Sequence, residues 1–150
     1  MREELFQAVQ DIAAPREEVF AFFSDPANLE ALTPPWLAFE ILTPAPLPRG
    51  EGAVFEYRIR VHGLNLRWRT LIETYVPGER FVDRQIAGPY ALWLHTHRFE
   101  DLPGGGTRMT DQVRYRLGWG ILGRLAAVWV RRDIARIFDY RKRALAERFG

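Results

Sequence analysis

The sequence predicts an α+β fold in which a curved antiparallel sheet is covered by one long terminal helix. Three observations carry that prediction. Six strand-like runs lie between residues 37 and 117, and the mostly short, Gly- and Pro-rich connections between them join neighbours as hairpins rather than crossovers. From Trp119 to Phe149 there is no Pro, and apolar side chains recur at the spacing of one helix face. A chain of 150 residues with 47% hydrophobic and 27% charged content suits one globular domain over residues 1–150, large enough to build a core without staples.

The first strand runs from Glu3 to Ile12, where Leu5, Phe6, Val9 and Ile12 mix with polar residues. Pro15 opens a helix, with Glu17 and Glu18 in its first turn at the positive end of the dipole, and Val19, Phe20, Phe22 and Phe23 follow until Asp25-Pro26 interrupts. A second short helix, Ala27 to Leu32, stops at Thr33-Pro34-Pro35, because a residue before Pro is pushed out of the helical region. The strand-like runs are Leu37–Thr43, Ala53–Val61, Leu66–Val76, Arg80–Ile86, Ala91–Glu100 and Thr107–Leu117. Between them stand Pro44 to Gly52, Gly63, Pro77-Gly78, Gly88-Pro89 and Pro103 to Gly106. In the last helix Ala127, Val130, Ile134, Ile137, Phe138 and Leu145 form one stripe, and Ile121, Leu122, Leu125, Val128 and Trp129 widen it over the first turns.

Composition narrows the chemistry. The chain has no Cys, which excludes disulfides, thiolate metal centres and a thiol nucleophile. Lys and Arg number 21 against 19 Asp and Glu, a net charge of +2; the pI of about 9.3 arises because Lys142 is the single lysine and every other cation is Arg. Between Arg124 and Arg148 eight cations face only Asp133, Asp139 and Glu147, so the remainder is slightly acidic and nucleic-acid binding is not expected. The charged start, Met1-Arg2-Glu3-Glu4, shows no secretory pattern, and no run reaches the roughly 18 apolar residues of a membrane span. The expected location is the cytoplasm.

Side chains alternate across a strand, so turn centres predict which positions share a face. The first hairpin sets Ile59 opposite Trp68, Tyr57 opposite Thr70 and Phe55 opposite Ile72. Around Pro77-Gly78, Thr74 opposes Phe81, Ile72 opposes Asp83 and Thr70 opposes Gln85. Around Gly88-Pro89, Gln85 meets Trp93, Asp83 meets His95 and Phe81 meets His97. Across Gly104 to Gly106, Phe99 meets Met109, His97 meets Asp111, His95 meets Val113 and Trp93 meets Tyr115. The opposite face carries Arg58, Arg60, Arg67, Arg69, Arg84, Arg98 and Arg114, and is the solvated one.

The inner face is therefore aromatic and aliphatic around a polar island of Asp83, Gln85, His95, His97 and Asp111, flanked by Tyr57, Thr70 and Tyr115. Unpaired buried charge is costly, and the register offers each carboxylate an imidazole: Asp83 with His95, and Asp111 with His97. One reading is a satisfied polar cluster in a packed core. The other is a polar patch at the end of a ligand cavity, which a few convergent polar groups in an apolar concave wall favour.

At these residues a resemblance emerges. Pro15, Val19-Phe20, Asn28-Leu29, Leu32-Thr33-Pro34, Phe81-Val82-Asp83-x-Gln85, Gly88-Pro89-Tyr90, Trp93-x-His95-x-His97-x-Phe99, Gly106-Thr107 and Asp111 resemble START-related helix-grip proteins over nearly the whole chain. Within them the chain is similar to the bacterial SRPBCC, polyketide-cyclase-like and birch-pollen-allergen-like proteins. The resemblance implies a seven-stranded antiparallel sheet wrapped around the C-terminal helix with a deep apolar cavity between them. Members bind lipids, sterols, quinones and polyketides, and a minority are enzymes; fold does not carry function with it.

The first functional expectation is a binder or carrier of a hydrophobic small molecule, with no cofactor. The ligand lies along Phe55, Tyr57, Ile59, Trp68, Ile72 and Trp93, with Thr70, Phe81 and Tyr115 nearby. Trp129, Ile134 and Ile137 cap it, and its polar end meets Asp83, Gln85, His95 and His97. The second expectation is a cyclase or dehydratase with a His–Asp general base, His95 with Asp83 or His97 with Asp111. The third is an interaction module with a collapsed cavity. His-x-His with an Asp is also a permissive metal spacing, although the Asp partners suit tautomer-fixing hydrogen bonds better, and no metal is expected. Gly104-Gly105-Gly106 lacks the following helix that phosphate binding needs, and His62 reads as an exposed turn residue. The segment Trp119 to Arg132 suggests either cavity-lining residues or transient contact with a membrane surface, and Arg141-Lys142-Arg143 reads as a solvated face.

Overall fold

The computed structural model describes residues 3–118 and 120–150, the side chains of 120–127 excepted. In chain order it contains β1 (Glu4–Ile12), α1 (Arg16–Phe23), α2 (Leu29–Leu32), β2 (Glu40–Ile41), β3 (Val54–Val61), β4 (Leu64–Val76), β5 (Arg80–Ala87), β6 (Tyr90–Asp101), β7 (Thr107–Leu117) and α3 (Gly120–Phe149). The strands form one seven-stranded antiparallel sheet in the order β1-β7-β6-β5-β4-β3-β2, with α3 against its concave side. This is the helix-grip α+β architecture. The expected roles of Trp119, Ile121, Leu122, Leu125 and Ala127 lie outside the described residues.

Two elements differ from the sequence reading. Pro26–Asn28 is a 3-10 turn capped by Asp25, whose carboxylate accepts a 3.0 Å bond from the Ala27 N–H, and only Leu29–Leu32 is α-helical. The run Leu37–Thr43 is mostly not strand. Pro35–Leu37 forms another 3-10 turn, Ala38 adopts a left-handed φ of 46°, and extension resumes for Glu40–Ile41 alone.

The hairpins decide what faces α3. At the β3–β4 turn His62 and Gly63 both have positive φ, 49° and 83°, the signature of a two-residue turn whose twist matches its strands. Val61 therefore pairs with Leu64, and the pairs further in are Ile59–Leu66, Tyr57–Trp68 and Phe55–Thr70. The expected partners were displaced by two residues along β4, which preserves the face. Across β4–β5, Thr70 faces Gln85 and Ile72 faces Asp83 as expected, but a bulge at Glu73 then sets Thr74 opposite Val82 and Tyr75 opposite Phe81. Thr74 thus loses its place on the inner face to Tyr75. In β5–β6 and β6–β7 the expected pairs Asp83–His95, Phe81–His97, His97–Asp111, His95–Val113, Trp93–Tyr115 and Phe99–Met109 are all present, and the β5–β6 ladder ends at Arg84–Leu94, short of Gln85 and Trp93.

The core is unevenly distributed. Ile134 and Phe138 of α3 pack on Val113 and Tyr115 of β7, with Phe6 of β1 alongside. Leu145 joins Val19, Phe20, Phe99 and Met109 beneath α1. Each such large side chain contributes about 1.5–3 kcal/mol by leaving water. α3 leans on β1, β7 and α2, and space remains between it and β3–β5.

Candidate functional site

That space is a cavity of about 560 Å³, within the range of roughly 300–1,000 Å³ of small-molecule sites. Phe55, Tyr57 and Ile59 of β3 and Trp68, Thr70 and Ile72 of β4 form one wall. Phe81 and Asp83 of β5 and Trp93, His95 and His97 of β6 form the floor, and Ile134 and Ile137 face them from α3. Tyr57 stacks on Trp68 at 5.8 Å between centroids, and Trp68 meets Trp93 edge-on at 5.1 Å, so the wall is a continuous aromatic surface.

Four of the expected site residues are placed elsewhere. Gln85 folds over its own turn, donating from Nε2 to Tyr90 O at 2.7 Å and accepting from Tyr90 N at 3.0 Å. It comes so close that a Cβ on Gly88 would stand 2.6 Å from its Oε1, and its polar groups are spent there. Tyr115 belongs to the packed core under α3. Asp111 is buried behind the histidines rather than at the cavity surface. Trp129 does not cap the cavity: it is 61% exposed, with the Arg132 guanidinium 5.7 Å above its ring. On the helix its position falls on the flank of Asp133 and Arg136, away from the Ile134–Phe138 face.

The imidazole–carboxylate bonds also run differently. His95 Nε2 lies 2.7 Å from Asp111 Oδ1, and His97 Nε2 lies 2.6 Å from Asp83 Oδ2, so the short bonds cross diagonally instead of following the ladder pairs. The ladder pairs are longer, His97 Nδ1 to Asp111 Oδ1 at 3.2 Å and His95 Nδ1 to Asp83 Oδ2 at 3.8 Å. The two rings stack at 3.7 Å, and Phe81 covers His97 at 4.1 Å.

A fifth member was not foreseen. Arg141, read as solvated, is buried, its Nη2 lying 3.2 Å from Asp111 Oδ1 and its guanidinium over the rings of Phe23 and Phe138, at 4.7 and 5.2 Å. Its Nη2 also lies 3.4 Å from His97 Nδ1, within hydrogen-bond reach of that ring nitrogen. The helical stripe contained the clue: Ile134, Phe138 and Leu145 leave one gap on their face, and position 141 fills it.

Burial alone raises a carboxyl and lowers an imidazole. For Asp111 burial is outweighed by Arg141 and by hydrogen bonds from His95 and His97, which hold its carboxyl well below the usual carboxylate range. For Asp83 burial is outweighed by His95, His97 and Arg141, and it too is held low. His97 is raised despite burial, because Asp111 and Asp83 face its two nitrogens. His95 is lowered by burial and by the His97 cation, against which the carboxylates do not prevail. The cluster thus biases its two imidazoles in opposite directions, His97 toward its charged form and His95 toward its neutral one, beside two carboxylates and the Arg141 guanidinium. Burial pushes the phenols of Tyr57 and Tyr90 up, so both remain protonated donors at the cavity wall.

Asp83, His95 and His97 each offer one donor atom, all within 4.8 Å of one another, as a metal site requires. The fit is poor, because Asp83 Oδ2 and His97 Nε2 stand at 2.6 Å, whereas two ligands of a tetrahedral ion with bonds of about 2.1 Å are roughly 3.4 Å apart. Arg141 moreover already supplies the balancing positive charge.

The cavity lining reaches the surface at Trp36, at His62 of the β3–β4 turn and at Arg136 of α3, all exposed. His62 is exposed as expected, yet its Nε2 lies 2.9 Å from Asp133 Oδ2 of α3. On the other side Arg136 covers the Trp36 ring at 4.9 Å. Trp36, Leu64, Val128 and Trp129 are all exposed apolar side chains, Leu64 to 66%. Among the described residues no helix is long and apolar enough to cross a membrane.

With this geometry in hand, comparison with known proteins identifies the relatives. No curated protein matches the sequence. Among solved structures the chain is similar to protein TTHA0849 from Thermus thermophilus, with 24% identity, 97% of each chain covered and a TM-score of 0.69. It is similar to the Zhui aromatase/cyclase from Streptomyces sp. R1128, with 16% identity, 98% of this chain and 93% of that one covered, and a TM-score of 0.75. It is similar also to Ara h 8.0201, with 15% identity, coverage of 96% and 98%, and a TM-score of 0.63. These likenesses establish the helix-grip fold. The family described as polyketide cyclase / dehydrase and lipid transport matches residues 4–150, and the chain belongs to it.

Proposed function

We propose that the protein binds and carries a hydrophobic small molecule, lipid-, quinone- or polyketide-like, in the cavity between β3–β5 and α3, and does so without chemistry on it. One observation carries this reading: an open, aromatic-walled space of about 560 Å³ whose polar floor already pairs its carboxylates with His97 and Arg141. An open cavity also counts against an interaction module with a collapsed interior. The exposed apolar side chains of Trp36, Leu64, Val128 and Trp129, together with the exposed Arg60, Arg132 and Arg136, support loading at an anionic lipid surface.

The enzyme reading keeps one specific support, the neutral His95, whose Nδ1 stands 3.8 Å from its nearest carboxylate oxygen and is free of a short bond. A general base, if the cavity has one, is His95 rather than His97. Native mass spectrometry before and after organic extraction tests carriage: a retained or rebindable apolar species supports it, and a protein that neither retains nor rebinds one refutes it. Turnover of a candidate substrate that is abolished by His95→Ala but survives His97→Ala would replace carriage with catalysis.

A further inference from the structure

We infer that the Asp83 carboxylate recognises a hydroxyl donor, phenolic or alcoholic, on the otherwise apolar ligand. The inference rests on the carriage reading above and gives that cavity a chemical preference. The two buried carboxylates are not equivalent. Asp111 Oδ1 gathers His95, His97 and Arg141, and its side chain is 7% exposed. Asp83 lines the cavity, its side chain is 19% exposed, and its short bond to His97 uses Oδ2. Among the described residues no hydrogen bond reaches Asp83 Oδ1.

An ionised carboxylate oxygen left over at an apolar cavity wall asks for a donor. A ketone, ether or carboxylate presents oxygen to oxygen and is repelled, whereas a hydroxyl completes the shell with a charge-assisted bond. An ammonium would also donate, but it would bring a second full cation close to the Arg141 guanidinium and to His97, whose charged form is already favoured there. The surroundings strengthen the preference. Ile72 lies directly across the ladder from Asp83, and Phe81 covers His97, so the carboxylate has apolar neighbours at this end of the cavity. The bond to His97 fixes the carboxylate in advance of binding.

The test uses a matched pair, 2-naphthol and 2-methoxynaphthalene, which share the ring system while only the first can donate. Both are titrated calorimetrically into the full-length protein at pH 7, with 1-anilinonaphthalene-8-sulfonate as a reference for the apolar cavity. Naphthol binds at least tenfold more tightly than its ether, as a hydrogen bond to a charged group requires. The ratio falls to threefold or less in Asp83→Asn, which still accepts the His97 bond. Ether binding equal to or tighter than naphthol in the wild type overturns the proposal and leaves the cavity reading standing. If none of the three probes binds, both fall. Should Asp83→Asn fail to fold by circular dichroism, the wild-type ratio decides together with the absorption of bound naphthol, which shifts to the red when its hydroxyl meets a carboxylate and stays unshifted otherwise.

Discussion

Replacing Arg141 by Met probes the charge balance on which the site depends. Met retains much of the side chain's length and can fill the slot between Phe23 and Phe138, but it removes the guanidinium 3.2 Å from Asp111 Oδ1. Asp111 then keeps only the imidazoles beside it, and its buried carboxylate loses its permanent countercharge. Removing one partner of a buried ion pair costs about 3–5 kcal/mol. In a chain of this size that lowers the melting midpoint by about 6–20 °C. Asp111→Asn errs in the other direction by leaving Arg141 without its carboxylate. The double variant returns the cluster to Asp83 against His97, and it should lose less than the two single variants together, by about 1–3 kcal/mol. Urea unfolding followed by Trp fluorescence measures all four corners. Single variants within about 1 kcal/mol of wild type, or strict additivity, would refute the balance described here.

Three further outcomes follow from the same geometry. His97, raised, adds stability that is complete below the unfolded imidazole value of about 6.5 and is lost as pH rises through its folded value, whereas His95, lowered, adds stability present above about 6.5 and lost as pH falls. Stability therefore peaks near neutrality, and His95→Gln should flatten the decline below about pH 6.5 in a pH series of urea midpoints; an unchanged acid flank counts against a neutral His95. Ile59→Trp places a large ring in the cavity, so ligand retention should fall at least tenfold while stability holds or rises by about 1 kcal/mol; a loss above 2 kcal/mol would mean that the wall is already fully packed. Leu64→Glu combined with Trp129→Glu should weaken co-sedimentation with vesicles of anionic phospholipid about tenfold without lowering the melting midpoint, and unaltered sedimentation would remove membrane loading from the account.

What the sequence revealed of this site, and what it hid, divides along one physical line. Facing on a strand depends only on parity, so Phe55, Tyr57, Trp68 and Ile72 reached the cavity even though the β3–β4 partners were displaced by two residues. Parity fails at a bulge, and at Glu73 it did, exchanging Thr74 for Tyr75; the bulge lies just beyond the Ile72–Asp83 pair, which is why the polar floor survived. Trp129 and Arg141 depended on how α3 is rotated over the sheet. Trp129 looked like cavity lining because it is aromatic, and Arg141 looked solvated because it is charged; their angular positions say the reverse, since 141 continues the Ile134–Phe138 face and 129 does not. Gln85 was misplaced for a local reason, a turn tight enough to be sealed by its own side chain.

The diagonal bonding has a consequence for chemistry that residue pairing alone does not reveal. Had each carboxylate served the imidazole directly across the ladder, each histidine would have had one nitrogen held and the other turned to the ligand, the arrangement of a general base. The crossed bond ties His97 Nε2 to Asp83 at 2.6 Å, while its Nδ1 stands 3.2 Å from Asp111 Oδ1 and 3.4 Å from Arg141 Nη2, so neither nitrogen is turned to the ligand. Its proton then holds Asp83 in place instead of moving to substrate. His95 keeps a nitrogen free, but burial and the adjacent cation lower its affinity for a proton, which weakens the one base that remains. His95, His97 and Arg141 together hold the Asp83 carboxyl low, and an ionised, immobile acceptor is suited to holding a donor. A floor built in this way is suited to selecting and positioning a ligand, the role proposed above.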